Sequence, residues 1–239
     1  MRPVQVPLYD QVRQDIAERI ASGAWAAGEL LPSEMELART FGVSQGTVRK
    51  ALDGLSARGI VQRRQGKGTF VAAFTPESVL FHFFRFVRDN GDRATPKSQV
   101  RSCRRERPNR DEVTALQLGR DARVVKIHRV RLLDGRPAIN EWITVPLALF
   151  PALGASTADS LPNTLYQHYE GKFGVSVHRA HETLRAVSAS SEDAAVLAIA
   201  VGEPILEVTR MAYGLNGNPI ERRISRCDTT AHAYASELT

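Results

Sequence analysis

Apolar residues recur at helical intervals in three stretches of the first sixty positions. Leu8, Val12, Ile16 and Ile20 step by four and end at Gly23, which predicts a first helix with one packing stripe. Residues 32–41 carry Met35, Leu37, Ala38 and Phe41 in a shorter helical pattern, which stops at Gly42, a residue that enters the left-handed region at little cost. Ser44 opens a third helix. Its side-chain oxygen suits the free N–H groups of a first turn, and Val48, Ala51, Leu52 and Leu55 follow at i, i+3, i+4 and i+7. Gln45, Thr47, Arg49 and Lys50 are left facing outward. A helix, a tight Gly turn and a polar-fronted helix make a helix-turn-helix, whose second helix lies in the major groove with its N-terminal residues on base edges. Beyond Gly59, residues 60–64 and 69–72 are β-prone and Gln65-Gly66-Lys67-Gly68 between them can turn, so a β-wing with a cationic tip is expected.

The pattern then changes. Pro76 breaks the wing strand, because it lacks a donor and biases its predecessor away from helix. Leu80, Phe83, Phe84 and Val87 fall at helical spacing before Gly91, and this cluster of aromatic residues reads as a packing stripe rather than a ligand box. Further on, a strand-like run at 123–133 turns at Asp134-Gly135 and returns at 137–145. A second hairpin runs from 204–215 through Asn216-Gly217 to 218–225. Short polar-started helices at 111–118 and 191–201 precede the two hairpins, so one unit occurs twice, with a helix at 164–172 and a long strand at 176–188 between the copies. The expected class is α+β, a winged helix-turn-helix followed by an antiparallel-sheet domain. The expected boundaries are 1–73 for the first domain, 74–98 for a linking segment and 99–239 for the second domain.

Length and composition agree with this division. A chain of 239 residues can bury two cores, and 43% hydrophobic with 24% charged residues is ordinary for a soluble protein. No apolar run approaches the ~20 residues of a membrane span, and the N-terminus lacks an apolar signal core, so a cytoplasmic protein is expected. Cys103 and Cys227, far apart and without metal spacing, fit free thiols in a reducing compartment. The net charge of +6 gains meaning from its location. Arg39, Arg49, Lys50, Arg58, Arg63, Arg64 and Lys67 face one acid, Asp53, within residues 39–67, a balance of 7 − 1 = +6. The rest of the chain holds 32 − 7 = 25 basic and 26 − 1 = 25 acidic residues, so the whole excess sits where phosphate neutralisation would use it.

The segment PSEMELARTFGVSQGTVRKALDGLSARGIVQRRQGKGTFV resembles the winged helix-turn-helix of GntR-family bacterial transcription regulators. The resemblance lies in the PSE start, the LA-x-x-x-G-V-S turn, the T-V-R-x-A-L helix and the G-x-G-T-F/Y-V wing, several motifs in fixed order. It implies double-stranded DNA as partner, with Ser33, Arg39, Ser44, Thr47, Arg49, Lys67, Gly68 and Thr69 as contacts. Gln45, on the same outward front, is placed with them. For Ser33 and Ser44, helix capping is the competing role.

The second half resembles the effector domain of the HutC subfamily, called UTRA and related in fold to chorismate lyase. The matching pieces are Arg129 and Arg131 in R-V-R, D-G-x-P followed by Glu141, Thr164-Leu165-Tyr166, Arg179-Ala180-x-Glu182, and N-G-x-P-I-E ending at Glu221. One departure is that Arg226-Cys227-Asp228 is followed by Thr229-Thr230, where relatives carry an aromatic residue. By this resemblance Arg129, Arg131, Glu141, Thr164, Tyr166 and Glu221 line an effector pocket. The ligand class is a small anionic or polar metabolite, since the subfamily recognises amino-sugar phosphates and urocanate.

Strand geometry supplies a reason. Arg129 and Arg131 are two apart and project from one face, where two guanidinium forks can hold a phosphate or carboxylate. A two-residue Asp134-Gly135 turn would put Glu141 on the other face, opposite His128; a three-residue loop with Gly135 left-handed puts it on the arginines' face, and this second register is expected. Glu141 there either takes hydrogen bonds from a ligand or neutralises the arginines. A surface ion-pair ladder is the plain alternative.

No Walker loop, G-x-S-x-G elbow or H-E-x-x-H motif occurs, so neither catalysis nor a cofactor is expected. His178 and His181 lie three apart in a strand-like run, on opposite faces, which argues against a metal. The expected protein is a ligand-responsive repressor that binds a palindromic operator as a homodimer. The rivals are a DNA-binding protein with an active lyase-like domain and a non-specific nucleoid protein.

Overall fold

The structure is a computed structural model that describes residues 7–26, 28–57, 59–72, 84–153, 161–214 and 216–236. It divides into two units, Met1–Thr75 and Pro76–Thr239.

In the first unit, helices α1 (Leu8–Ala21), α2 (Glu34–Phe41) and α3 (Gln45–Ala57) bury Val12, Ile16, Leu37, Val48, Ala51, Leu52 and Leu55. The stripe of α1 is shorter than its sequence pattern, because Leu8 in the first turn is 60% exposed. Ser33 caps α2 in a reciprocal box with Glu36: its hydroxyl accepts from the Glu36 amide at 3.3 Å, and the Glu36 carboxylate accepts from the Ser33 amide at 2.8 Å. Gly42 ends α2 with φ 64° and ψ 32°, and the chain turns directly into α3. Strands β1 (Val61–Arg64) and β2 (Gly68–Val71) form the wing, with Arg64 opposite Gly68, so the loop is residues 65–67. The segment before α2 joins this ribbon, since Leu30 bridges to Phe70 and the Leu31 amide donates to the Thr69 carbonyl at 2.8 Å. Gly68 must be glycine there: its φ is +110°, and a Cβ would stand 2.7 Å from Leu30 Cδ1.

The second unit is built on a six-stranded antiparallel sheet. In chain order its elements are β3 (Phe86–Val87), β4 (Lys97–Glu106), α4 (Arg110–Ala115), β5 (Val124–Leu133), β6 (Arg136–Pro146) and α5 (Leu165–Phe173). They continue as β7 (Arg179–Ser188), α6 (Ser191–Leu197), β8 (Pro204–Tyr213), β9 (Pro219–Cys227) and β10 (Ala233–Tyr234). The sheet order β4-β5-β6-β9-β8-β7 makes the duplication plain: β4-α4-β5-β6 and β7-α6-β8-β9 meet at the central β6–β9 pair. Both repeat helices begin with a capping box whose acid is buried, Asn109 with Glu112 and Ser190 with Asp193. Both acids are tied to β6, Glu112 accepting from the Thr144 hydroxyl and Asp193 from the Asn140 amide, each at 3.0 Å.

Two expectations need correction. The helix expected around residues 80–91 falls partly outside the described residues, and its described end is the strand β3, paired with β10. Phe84 and Phe86 pack on the same core, which is period two rather than the 3.6 of a helix. The turn between β5 and β6 is a two-residue turn, with Asp134 (φ 50°) and Gly135 (φ 82°) both left-handed and Leu133 paired with Arg136. Glu141 nevertheless lies opposite Arg129, because the register shifts between Arg131 and Leu132 and leaves Ala138 unpaired. The face is the expected one, but a bulge produces it and not a longer loop.

Candidate DNA interface and effector site

Two of the residues expected at DNA, Arg49 and Gln45, meet one carboxylate in the first unit. Glu34, at the start of α2, accepts from Arg49 Nε at 3.0 Å and Nη2 at 2.9 Å, from Arg63 Nη2 at 3.2 Å and from Gln45 Nε2 at 3.4 Å. Hydrogen bonds from Arg49 are the largest influence on Glu34, and they hold its pKa below the ordinary carboxylate range against a smaller effect of burial. Ser44 caps α3, its hydroxyl accepting from the Thr47 amide at 3.2 Å and sharing a hydrogen bond with the Thr47 hydroxyl at 2.9 Å. Both serines are thus caps and are also exposed. Arg39, Gln45, Lys67 and Gly68 are exposed, and Thr69 is half-buried. Between the wing and the N-terminus of α2 runs a groove of about 770 Å3, walled by Ser33, Glu34, Arg63, Arg64, Lys67 and Thr69. Sequence reasoning missed Glu34 as the hub of this surface and Glu36 as a cap partner, although Ser33-Glu34-Met35-Glu36 spells the S-x-x-E capping signal.

In the second unit, one face of the sheet is charged although it is buried. Arg129 and Arg131 on β5, Glu141 on β6, Glu221, Arg223 and Ser225 on β9, and Arg210 on β8 alternate with residues of the opposite face, and the register sets them side by side. Arg129 donates to Glu141 through Nε and to the Asn163 carbonyl through Nη1 at 3.3 Å. Glu141 also accepts from Arg223 Nη1 at 3.3 Å and from the Ser225 hydroxyl at 3.2 Å. Burial works against its ionisation, but Arg129, Arg223 and Arg131 outweigh it and keep the carboxyl far below its usual range. Glu221 is saturated. One oxygen accepts from the Tyr166 hydroxyl and Arg223 Nε, both at 2.9 Å, and the other from the Tyr169 hydroxyl at 2.9 Å and Arg223 Nη2 at 3.0 Å. Burial and the Glu221 charge push the Tyr166 phenol up to about 12.

Arg131 differs from its neighbours. It is 3% exposed, and among the described residues no carboxylate lies within ion-pair distance of it. Its Nε is buried without a hydrogen-bond partner, and the guanidinium meets Asn163 Oδ1, 3.5 Å from Nη2, and the Phe84 ring, 5.1 Å from Cζ. Burial and repulsion from Arg129 lower its proton affinity well below that of an ordinary guanidinium. Among the described residues, the inward face of β5 to β9 thus sets four guanidinium groups (129, 131, 210, 223) against three carboxylates (141, 182, 221), an excess of one positive charge. Next to this face, β3 and β10 enclose a cavity of about 20 Å3 walled by Phe84, Glu141, Arg210, Arg223, Ser225 and Tyr234, room for about one water.

Of the expected effector residues, Arg129, Arg131, Glu141, Tyr166 and Glu221 come together on this face. Thr164 stands apart at the N-terminus of α5, half-buried, with its hydroxyl directed to Gln167 Oε1 at 3.2 Å. Its neighbour Asn163 faces the arginines instead. Asn163 accepts from the Ser98 hydroxyl at 2.8 Å and donates to the Pro96 carbonyl at 2.8 Å. Nothing in the local pattern of residues 161–165 marked which of the two adjacent polar side chains would turn inward.

Residues 8–71 match the model of bacterial regulatory proteins of the gntR family, and residues 92–233 match the UTRA domain. The HTH-type transcriptional repressor NagR of Bacillus subtilis is 32% identical over 217 residues, covering 90% of this chain and 88% of its own. A candidate fructoselysine utilization operon transcriptional repressor of Shigella flexneri is 30% identical over 219 residues, covering 89% of this chain and 87% of its own. Among solved structures, the ligand-binding domain of a candidate GntR-family regulator from Bordetella bronchiseptica superposes with a TM-score of 0.62 at 32% identity, over 66% of this chain and 98% of that one. Among the described residues no helix is long and apolar enough to cross a membrane.

Proposed function

From a chain that belongs to the GntR family of bacterial regulatory proteins and carries its UTRA domain, we propose a transcriptional repressor whose hold on DNA is set by a small anion bound beside Arg131. DNA binding by the first unit and ligand modulation by the second follow from the family, and the repressors among its relatives favour this reading over a lyase or a nucleoid protein. The anionic character of the ligand rests on one observation: a buried guanidinium with an unpartnered Nε and, among the described residues, no carboxylate within ion-pair distance. A buried cation costs several kcal/mol unless an anion offsets it, so the site is built to receive one. Ser98 and Asn163 stand next to it as polar groups that discriminate among anions.

The protein acts as a homodimer in the cytoplasm on a palindromic operator, because one winged helix-turn-helix reads a half-site and a two-fold pair reads two. Ser33, Arg39, Ser44, Gln45, Thr47, Arg49, Lys67, Gly68 and Thr69 form the DNA surface, and the second unit performs no catalysis. The cavity of about 20 Å3 is not lined by Arg131 and is too small for a sugar phosphate, so the effector binds a conformation in which β3 and β10 stand further from the sheet. A coupling of roughly 1 to 3 kcal/mol between ligand and DNA is the ordinary range for such a device.

The test is a thermal-shift screen of sugar phosphates and carboxylate catabolites, followed by release of a bound duplex by each hit. Wild-type protein is expected to respond, and Arg131→Met to bind the duplex without responding. Loss of duplex binding in Arg131→Met would overturn the assignment, and so would an undiminished ligand response.

A further inference from the structure

On the reading of the first unit as the DNA-binding unit, we infer that Glu34 is a positioning residue for sequence discrimination: it holds the Arg49 guanidinium in one direction and joins it to the wing. Side chains from two elements converge on its carboxylate, Arg49 and Gln45 from α3 and Arg63 from β1. The contact with Arg49 is made along one edge of the guanidinium, by Nε at 3.0 Å and Nη2 at 2.9 Å. No hydrogen bond of Arg49 Nη1 is among those to Glu34, so that edge is available to a base or phosphate. The exposures are graded to suit this: the Glu34 side chain is 19% exposed, while that of Arg49 is 58% exposed. The acid sits behind the base and does not cover it.

Arg63 ties the arrangement down. Its Nη2 reaches Glu34 Oε1 at 3.2 Å, Asp53 Oδ1 at 2.9 Å and the Arg49 carbonyl at 3.4 Å, so the wing strand, the start of α2 and the middle of α3 share one network. Without Glu34, Arg63 would keep Asp53 but Arg49 would lose its hydrogen-bonded carboxylate, and the long Arg49 side chain would regain its rotamers. Ordering such a side chain on binding is a cost that an existing contact removes beforehand. Glu34 is not needed for the helix cap, which Ser33 and Glu36 make between themselves. A change at Glu34 therefore acts on the arginine and leaves α2 in place.

The experiment uses the full chain. Duplexes are enriched from a random-sequence pool with wild-type protein, and each variant is measured on the enriched duplex and on random duplex at one salt concentration. Glu34→Gln is expected to lower the ratio of the two affinities by about three- to ten-fold, while binding to random duplex stays level or rises, because the protein gains one net positive charge. Its melting temperature should stay within about 3 °C of wild type, as for an exposed ion pair. In an Arg49→Ala background, Glu34→Gln should leave the ratio unchanged, since the group it positions is gone. An unchanged ratio in Glu34→Gln overturns the inference, as does a raised one, which would mean that Glu34 masks Arg49. A fall of both affinities together with the melting temperature overturns it too, as a purely structural role. A wild-type protein with no preference for any duplex would remove the DNA reading itself, and this inference with it.

Discussion

Arg131→Met is expected to stabilise the ligand-free protein, which is the reverse of what removing a buried side chain's contacts normally does. In the wild type the guanidinium is 3% exposed, has Arg129 as a like-charged neighbour and has an unpartnered Nε. Burying an ion costs several kcal/mol after relaxation, and an unmade buried hydrogen bond about 1 to 3 kcal/mol. What offsets this is modest. The stack on Phe84 at 5.1 Å contributes about 0.5 to 2 kcal/mol, and the 3.5 Å contact to Asn163 is at the limit of a hydrogen bond. Methionine keeps most of the volume and the contact with Phe84 and removes the charge, so a gain of about 1 to 3 kcal/mol is expected. At about 2 to 4 °C per kcal/mol for a unit of this size, the melting temperature should rise by about 2 to 12 °C in a chloride buffer free of phosphate and sulfate. A binding anion at about a hundred times its Kd should add about 2.7 kcal/mol to the wild type and nothing to the variant. Glu141→Gln is the control of opposite sign. It leaves Arg129 without its carboxylate and should cost about 3 to 5 kcal/mol. If Arg131→Met destabilises the protein as much as Glu141→Gln does, Arg131 is an internally satisfied cation and the anion site does not exist.

Other consequences can be measured directly. Arg49→Ala should lower affinity for an enriched duplex by about 1 to 3 kcal/mol, as seen in competition binding, while effector-induced stabilisation of the second unit is unchanged; loss of both responses would refute the separation of roles. Gly68→Ala should loosen the wing by about 1 kcal/mol or more, because φ +110° and the 2.7 Å approach to Leu30 Cδ1 both oppose a Cβ; faster amide exchange at Leu31 and Val71 would report it. Acid should weaken the β5–β6 turn in a defined window. Hydrogen bonds from Arg88 and then His232 lower the Asp134 carboxyl from 3.8 to about 2. A folded-state value below the unfolded one means that this stability is fully present above about 3.8 and is lost as pH falls through about 2. Asp134→Asn should therefore flatten the acid limb of a stability-versus-pH curve between those values, and an unaltered limb would refute the contribution.

Much of this molecule was written in local chemistry. The stripe Val48, Ala51, Leu52 and Leu55, the stop at Gly42 and the cap at Ser44 depend on neighbours within one or two turns, so periodicity and capping preference sufficed to place the helix-turn-helix. Two hairpins, each preceded by a helix, were legible for the same reason, as was the shared face of Arg129 and Arg131. Tertiary structure alone decided the rest. The bulge at Ala138 chose the face of Glu141, a one-residue event in β6 that no turn residue announces. The short strand at Phe86 exists because β10 pairs with it from the far end of the chain, and its phenylalanines could equally have suited a helix. Glu34 meets Arg49 and Arg63 across 15 and 29 positions, and Asn163 rather than Thr164 reaches the arginines through the way α5 docks. Periodicity tells which side of an element is apolar, since that is a property of the element itself; which charges meet across a buried face depends on register between strands distant in sequence, and only the folded chain sets that.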